Sequence, residues 1–165
     1  MDNIISWIIW IPIIGMVAIG FVPRGQQDLI KKIAAVTTGI QLLVAVILWI
    51  TFNPTDGSFQ FMERAEWIPS LGIAYILGVD GLSLPMVALN ALIAFLGVFV
   101  SWNIDRAVKG YFALFLLLDT GIMGVFLSLD FFLFYVFWEV MLLPMYFLIG
   151  MWGGPQREYA AIKFF

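Results

Sequence analysis

The sequence predicts an all-α fold, a polytopic transmembrane helix bundle, and three observations carry that prediction. Of the 165 residues, 63% are hydrophobic and only 12% are charged, whereas charged residues make up about 25% of an average soluble domain. Five continuous apolar runs each reach the roughly 20 residues that a helix needs to cross a bilayer core about 30 Å thick. Basic residues crowd into alternate connections between those runs, the pattern of a multi-pass protein. A membrane β-barrel would show short alternating strands instead, and lipid offers backbone groups no partner outside a helix or a closed barrel.

The runs are roughly 4–22, 33–52, 82–102, 111–129 and 131–152, and a sixth begins in "REYAAIKFF" from Arg157. The first starts with Asp2 and has no Lys or Arg before Arg24. It therefore lacks the basic start of a signal peptide and reads as a retained helix. The second carries a polar patch, Gln41 with Thr37 and Thr38, suited to hydrogen bonds between helices. The connection over 53–81 exceeds a plain turn. Its apolar stretch "EWIPSLGIAYILGVDGLSLP" fits either short strands or an interfacial segment. Asp80-Gly81 is a turn signal, and Asp80 or Ser83 is placed to cap the third helix. Ala91 and Ala94 on the third helix, and Gly121 and Gly124 on the fourth, suggest close helix contacts. Asp130 reads as an N-cap or first-turn acid of the fifth helix.

Orientation follows from the connections. Arg24, Lys31 and Lys32 lie between the first two helices, Arg106 and Lys109 between the third and fourth, and Arg157 and Lys163 after the fifth. Arg64 is the one basic residue in the acidic connection 53–81, so seven of the eight basic residues share a side. The positive-inside rule then predicts an N-terminus outside. Trp7, Trp49 and Trp67 fall at the outer ends and Trp102 and Trp152 at the inner ends, as an aromatic belt would place them. Trp138 is the exception, beside Glu139 within the fifth helix.

Several chemistries are excluded. With no cysteine and no histidine, the chain has no disulfide, no thiol nucleophile, no haem-ligating His and none of the usual zinc sets. It shows no phosphate loop or dinucleotide fingerprint, so NADH, flavin and iron–sulfur clusters have no ligand set here. A net charge of -3 without basic clusters argues against nucleic acid as a partner. The partners expected from composition are the lipid bilayer and other membrane helices.

The candidate chemistry lies in two acids inside the apolar runs. Glu139 sits within "FYVFWEVMLLPMYF", nine residues after Asp130. At 1.5 Å per residue it lies about 13.5 Å deep, close to the bilayer midplane. An acid there must face protein or water and is by default a functional residue. It reads as a proton relay, or else as a permanently protonated Glu bonded to a neighbouring helix. Tyr135, Leu142, Leu143 and Tyr146 share its helical face, so either tyrosine is placed to orient the carboxyl or simply to pack. Pro144 frees the carbonyl of Val140, one turn from the acid, or is a tolerated kink. Asp119, in "LFLLLDTGIMG", is the second acid. If the fourth and fifth helices turn near Leu129, the two acids sit at about the same depth and form a proton pair, unless Asp119 is a protonated acid bonded to Thr120 or a backbone carbonyl. All Lys and Arg are expected at helix ends or in connections, so no basic partner for Glu139 is expected among these helices.

"LGVDGLSLP" at 77–85, "GVFLSLDFFLFYVFWEVMLLPMYFLIGMWGG" at 124–154 and "YAAIKFF" at 159–165 closely resemble the M-subunit family of bacterial respiratory complex I, homologous to mitochondrial NADH dehydrogenase subunit 4. The resemblance covers most of the chain, and its most specific motif holds Glu139. It implies an antiporter-like inverted-repeat fold of which this chain is the first half or N-terminal part. It also implies a proton-translocating role in the bacterial inner (cell) membrane, in a complex that oxidises NADH and reduces quinone. NADH, FMN, iron–sulfur clusters and quinone would then belong to partner subunits, and the chain would contact other membrane-arm subunits of complex I. Glu139 matches the family's fifth-helix glutamate, which pairs with a seventh-helix lysine in the pumping relay. Asp119 falls where relatives often have an acid, usually Glu, and Asp80 and Asp130 match acids of structural character. The family's later lysines and second half would lie beyond Phe165, so the resemblance implies a fragment or one part of a longer subunit. A subunit of a multi-subunit Na⁺/H⁺ antiporter or membrane-bound hydrogenase, and a purely structural membrane scaffold, are the rival readings.

Overall fold

The computed structural model describes residues 3–164, so Met1, Phe165 and the Asp2 of the opening run lie outside the described residues. The described chain is a helix bundle with one β-hairpin at the end where α1 starts, the end that the charge pattern predicts to be outer. Five helices are long and apolar enough to cross a membrane: α1 (Ile4–Phe21), α2 (Gln27–Thr51), α3 (Ser83–Val100), α4 (Val108–Leu127) and α5 (Phe131–Trp152). A short α6 (Arg157–Phe164) follows.

The boundaries depart from the apolar runs for identifiable reasons. α2 begins at Gln27, not near Ile33. Its first two turns are polar but helix-compatible, with Asp28 near the positive end of the helix dipole. Hydropathy sees only the part that meets hydrocarbon. Lys31 and Lys32 therefore lie inside the helix, and Lys31 is buried rather than in an open connection. α4 stops at Leu127 because the next residues join a sheet. Ser128 bridges Leu77, and the Leu129 amide donates to the Ile76 carbonyl at 2.9 Å.

That sheet resolves the 53–81 connection in favour of strands. β1 (Gln60–Ile68) and β2 (Ile73–Val79) pair antiparallel. Pro69–Leu71 form a single 3₁₀ turn, closed by Gly72 at φ 69°, a left-handed conformation that costs glycine little. The hairpin ties three outer helix ends together. Glu63 accepts from the Ile5 amide at 2.9 Å and the Ser6 amide at 3.1 Å, and the Ser6 hydroxyl also donates to it. These are amides that the first turn of α1 leaves without partners. Past β2, Asp80 Oδ1 accepts from the amides of Leu82 (3.1 Å) and Ser83 (2.7 Å) and so caps α3, while the Ser83 hydroxyl accepts from the Asp80 amide. Asp130 caps α5 in the same way, accepting from Phe132 and Leu133, each at 3.0 Å.

The inner ends are held by basic side chains and a tryptophan. Lys109 Nζ donates to the carbonyls of Gly20 (2.7 Å) and Val22 (2.9 Å) at the end of α1. Trp152 Nε1 donates to the Arg106 carbonyl at 2.8 Å. Lys31 pairs with Asp105 at 4.0 Å.

α4 is the central helix, packed on α1, α2, α3 and α5. Its span is 44% buried, against 17% for α5, which lies at the margin of the bundle. The core forms two apolar clusters. The outer includes Ile5, Leu48, Val87 and Met123, and the inner includes Ile19, Ala34, Phe112 and Leu116. Between them runs a buried polar layer of Thr38, Gln41, Asp119 and Thr120. Close helix contact depends on small residues. A side chain at Gly121 would come within 2.8 Å of the Met141 amide nitrogen, and one at Gly124 would overlap the Phe137 ring. Ala91 and Ala94 of α3 are likewise buried.

Candidate functional site

α5 presents one face to the bundle and one away from it. Leu133, Phe137 and Pro144 are buried, whereas Tyr135, Glu139 and Leu143 are exposed. The helix runs unbroken through Pro144. Glu139 thus sits mid-helix on the open face of this bundle, as the spacing of Tyr135, Glu139 and Leu143 requires once Phe137 packs inward. The Tyr135 hydroxyl is within hydrogen-bonding reach of the Glu139 carboxyl. Tyr146, on the same stripe, stacks edge-on against Phe147 at 5.4 Å and lines a groove between α5 and α6 with Leu143 and Ile162. The stripe therefore splits: Tyr135 meets the acid, and Tyr146 borders the α6 groove. Trp138 packs against Phe134 at 5.8 Å, on the exposed side.

Asp119 is placed differently. It is 3% exposed, and its Oδ1 accepts from Asn90 Nδ2 of α3 at 2.7 Å. Gln41 of α2 borders the same carboxyl. Gln41 is fully buried, and its Nε2 donates to the Ile8 carbonyl of α1 at 3.2 Å. Thr120 is not the partner of Asp119, because its hydroxyl donates to Leu116 one turn back at 3.0 Å. Thr37 and Thr38 also bond within their own helix, so only Gln41 of the α2 polar patch crosses to another helix.

The two acids do not sit level. Gly121 lies against Met141 and Gly124 against Phe137. That register sets Glu139 beside Ile122 and Met123. Asp119 is three to four residues further in, roughly 5 Å or one turn deeper. The expectation of equal depth assumed a symmetric turn at Leu129, but Ser128 and Leu129 pair with β2 and shift the register. The Asp119 side chain bonds to α3 rather than meeting the Glu139 stripe. Among the described residues no Lys or Arg pairs with either acid, and no group of three or more His, Cys, Asp or Glu is gathered to hold a metal.

Sequence reasoning missed two residues. Asn90 is the direct partner of Asp119, and its signal was a lone amide inside the apolar stretch of α3. Glu63 holds the start of α1 from 57 residues away, and no local pattern announces such a pairing.

Comparison with known proteins bears on this arrangement. A family model described as NADH:quinone oxidoreductase/Mrp antiporter, TM matches residues 128–165, the segment that contains Glu139. NADH-quinone oxidoreductase subunit M of Rhodobacter capsulatus is 38% identical over 169 residues, covering 100% of this chain and 33% of that protein. Over nearly its whole length the chain is similar to the M, or chain 4, subunits of NADH-quinone oxidoreductases. It spans about a third of the length of the M-group relatives it matches. The fold of this chain agrees with solved structures. Respiratory complex I from Thermus thermophilus matches with a TM-score of 0.79 at 24% identity, over 95% of this chain and 31% of that one. The Mrp complex from Dietzia matches with a TM-score of 0.70 at 19% identity, over 97% of this chain and 17% of that one. At these identities the likeness speaks for the helix-bundle fold alone.

Proposed function

We propose that this chain is part of an antiporter-like, proton-translocating membrane subunit of an NADH:quinone oxidoreductase, with Glu139 as a proton relay. The observation that carries the reading is the placement of Glu139: mid-helix, on the open face of α5, with the Tyr135 hydroxyl in reach. An ionisable group in that position is costly in lipid and is retained where it pairs or lines a path. The 38% identity to an M subunit supports a complex of that class. Tyr135 orients the acid, and Tyr146 supports the same stripe further in. Asp119 stands as the weaker relay candidate, since it lies a turn deeper and bonds to α3 instead.

On this reading the enzyme is a translocase in which this chain does no redox chemistry. NADH, FMN, iron–sulfur clusters and quinone are carried by partner subunits, and a lysine on the seventh helix of the full-length subunit supplies the cation that Glu139 lacks among the described residues. The basic inner ends support an N-terminus outside. The fold likeness to the Mrp complex keeps a cation-antiporter subunit as the alternative, and co-purifying flavin and iron–sulfur subunits would separate the two. The deciding experiment is Glu139→Gln in the full-length subunit, with the assembled complex reconstituted in proteoliposomes. NADH-driven acidification should fall at least about tenfold, the scale of losing one positioned proton carrier. Unchanged pumping in an intact complex would make Glu139 a scaffold residue.

A further inference from the structure

The polar layer between the two apolar clusters contains an imbalance of donors and acceptors. Asp119 Oδ2 and Gln41 Oε1 are both buried and both lack a hydrogen-bond partner. Among the described residues no donor reaches either atom, and each neighbouring donor group already makes a bond elsewhere. Asn90 Nδ2 is on Asp119 Oδ1, Gln41 Nε2 is on the Ile8 carbonyl, and the hydroxyls of Thr38 and Thr120 are on carbonyls of their own helices. The amide orientation of Gln41 is fixed, because a carbonyl can only accept and so must face the NH₂ group. Two acceptors without a donor, in a site where among the described residues no Lys or Arg pairs with Asp119, would each cost the desolvation of a buried polar atom.

We propose that Asp119 carries a proton on Oδ2 and donates it to Gln41 Oε1. One O–H converts one unpaired acceptor into a donor and satisfies the other, so the count closes. The result is a continuous polar tie across four helices: Ile8 of α1, Gln41 of α2, Asp119 of α4 and Asn90 of α3. Asn90 lies seven residues after Ser83 and Asp119 eight before Leu127, so the tie sits about 10–12 Å inside the outer ends. There, apolar side chains provide little directional information, because helix packing in lipid depends on shape and on polar contacts. Asp119 is on this view a positioning residue that fixes the rotation of the central helix, and with it the face of α5 that Gly121 and Gly124 seat. The inference rests on hydrogen-bond geometry and stands whether or not Glu139 moves protons.

The test is infrared spectroscopy on the full-length subunit in its membrane complex, with and without isotope-labelled aspartate. A carboxylic C=O band should be present, vanish in Asp119→Asn, and move to higher frequency in Gln41→Leu, where the acceptor is gone. Absence of an Asp119 acid band would overturn the proposal. So would a band indifferent to Gln41→Leu, which would point to a bridging water. As a second measure, Asp119→Asn should melt close to the parent, and Asp119→Leu about 4 °C lower or fail to assemble. An Asp119→Leu variant as stable as the parent would remove the tie's structural role.

Discussion

Asp119 and Glu139 lie on the two arms of one antiparallel helix pair, about a turn apart in depth, yet they meet opposite surroundings. Asp119 is on the central helix, closed in by α2 and α3 and bonded to Asn90. Glu139 is on the marginal helix, turned away from the bundle, with the Tyr135 hydroxyl beside it. Depth and chemical type are nearly the same, so the difference lies in how each helix is rotated. An acid enclosed by its own bundle can be satisfied there and serve the fold. An acid presented on an open face has little of its own bundle to satisfy it.

The comparison is broken most severely by forcing the two arms apart. Gly121→Leu would drive a side chain into the Met141 backbone, and overpacking of that kind costs about 1–3 kcal/mol. Thermal unfolding should show the loss, accompanied by proteolytic sensitivity at the 128–130 turn. A wild-type melting point would mean that the helices are not in direct contact at this position.

A sharper test separates the two acids. Asn90→Leu removes the donor to Asp119 Oδ1 and should destabilise by about 1–3 kcal/mol, the cost of stranding a buried acceptor. Glu139→Leu should stay within about 0.5 kcal/mol in stability, as expected for an exposed site away from packing. Denaturation of the two variants in the same detergent checks the contrast, and equal losses would erase it.

The smallest effect is expected at the entrance to α3, which carries Asn90. The Ser83 backbone amide, donating to Asp80, holds that carboxyl below its ordinary value. The native state therefore favours the ionised form. Its contribution is fully present above the ordinary carboxylate pKa, about 3.9, and is lost as pH falls through the depressed one. Acidification should speed amide exchange at Leu82 and Ser83 while leaving the Lys109 contacts on α1 unchanged. Asp80→Asn should remove the pH dependence. Because Asp80 sits at a helix entrance and is still partly exposed, the change in global stability should be slight.

These contrasts mark how far the linear order of residues reaches. Five spans, their alternating direction and the cap at Asp130 could all be read locally, since each depends on residues within a turn or on the composition of one connection. The strands at 60–79 could not be chosen over an interfacial segment, because an antiparallel pair gains its stability from cross-strand partners and not from its own pattern. Nor could the start of α2, whose polar turns lie outside the hydrocarbon that hydropathy measures.

Sequence alone determined that two acids lie inside apolar membrane-length runs, that no cysteine or histidine accompanies them, and that seven of the eight basic residues fall in alternate connections. Those are properties of identity and spacing, and a helix converts spacing into depth at a fixed rise. Only the tertiary structure decided which acid is enclosed. Rotation about each helix axis is set by Gly121 against Met141, Gly124 against Phe137, and the strand contact at Leu129. Such contacts join residues distant in the chain, so their outcome exists only once the helices have packed.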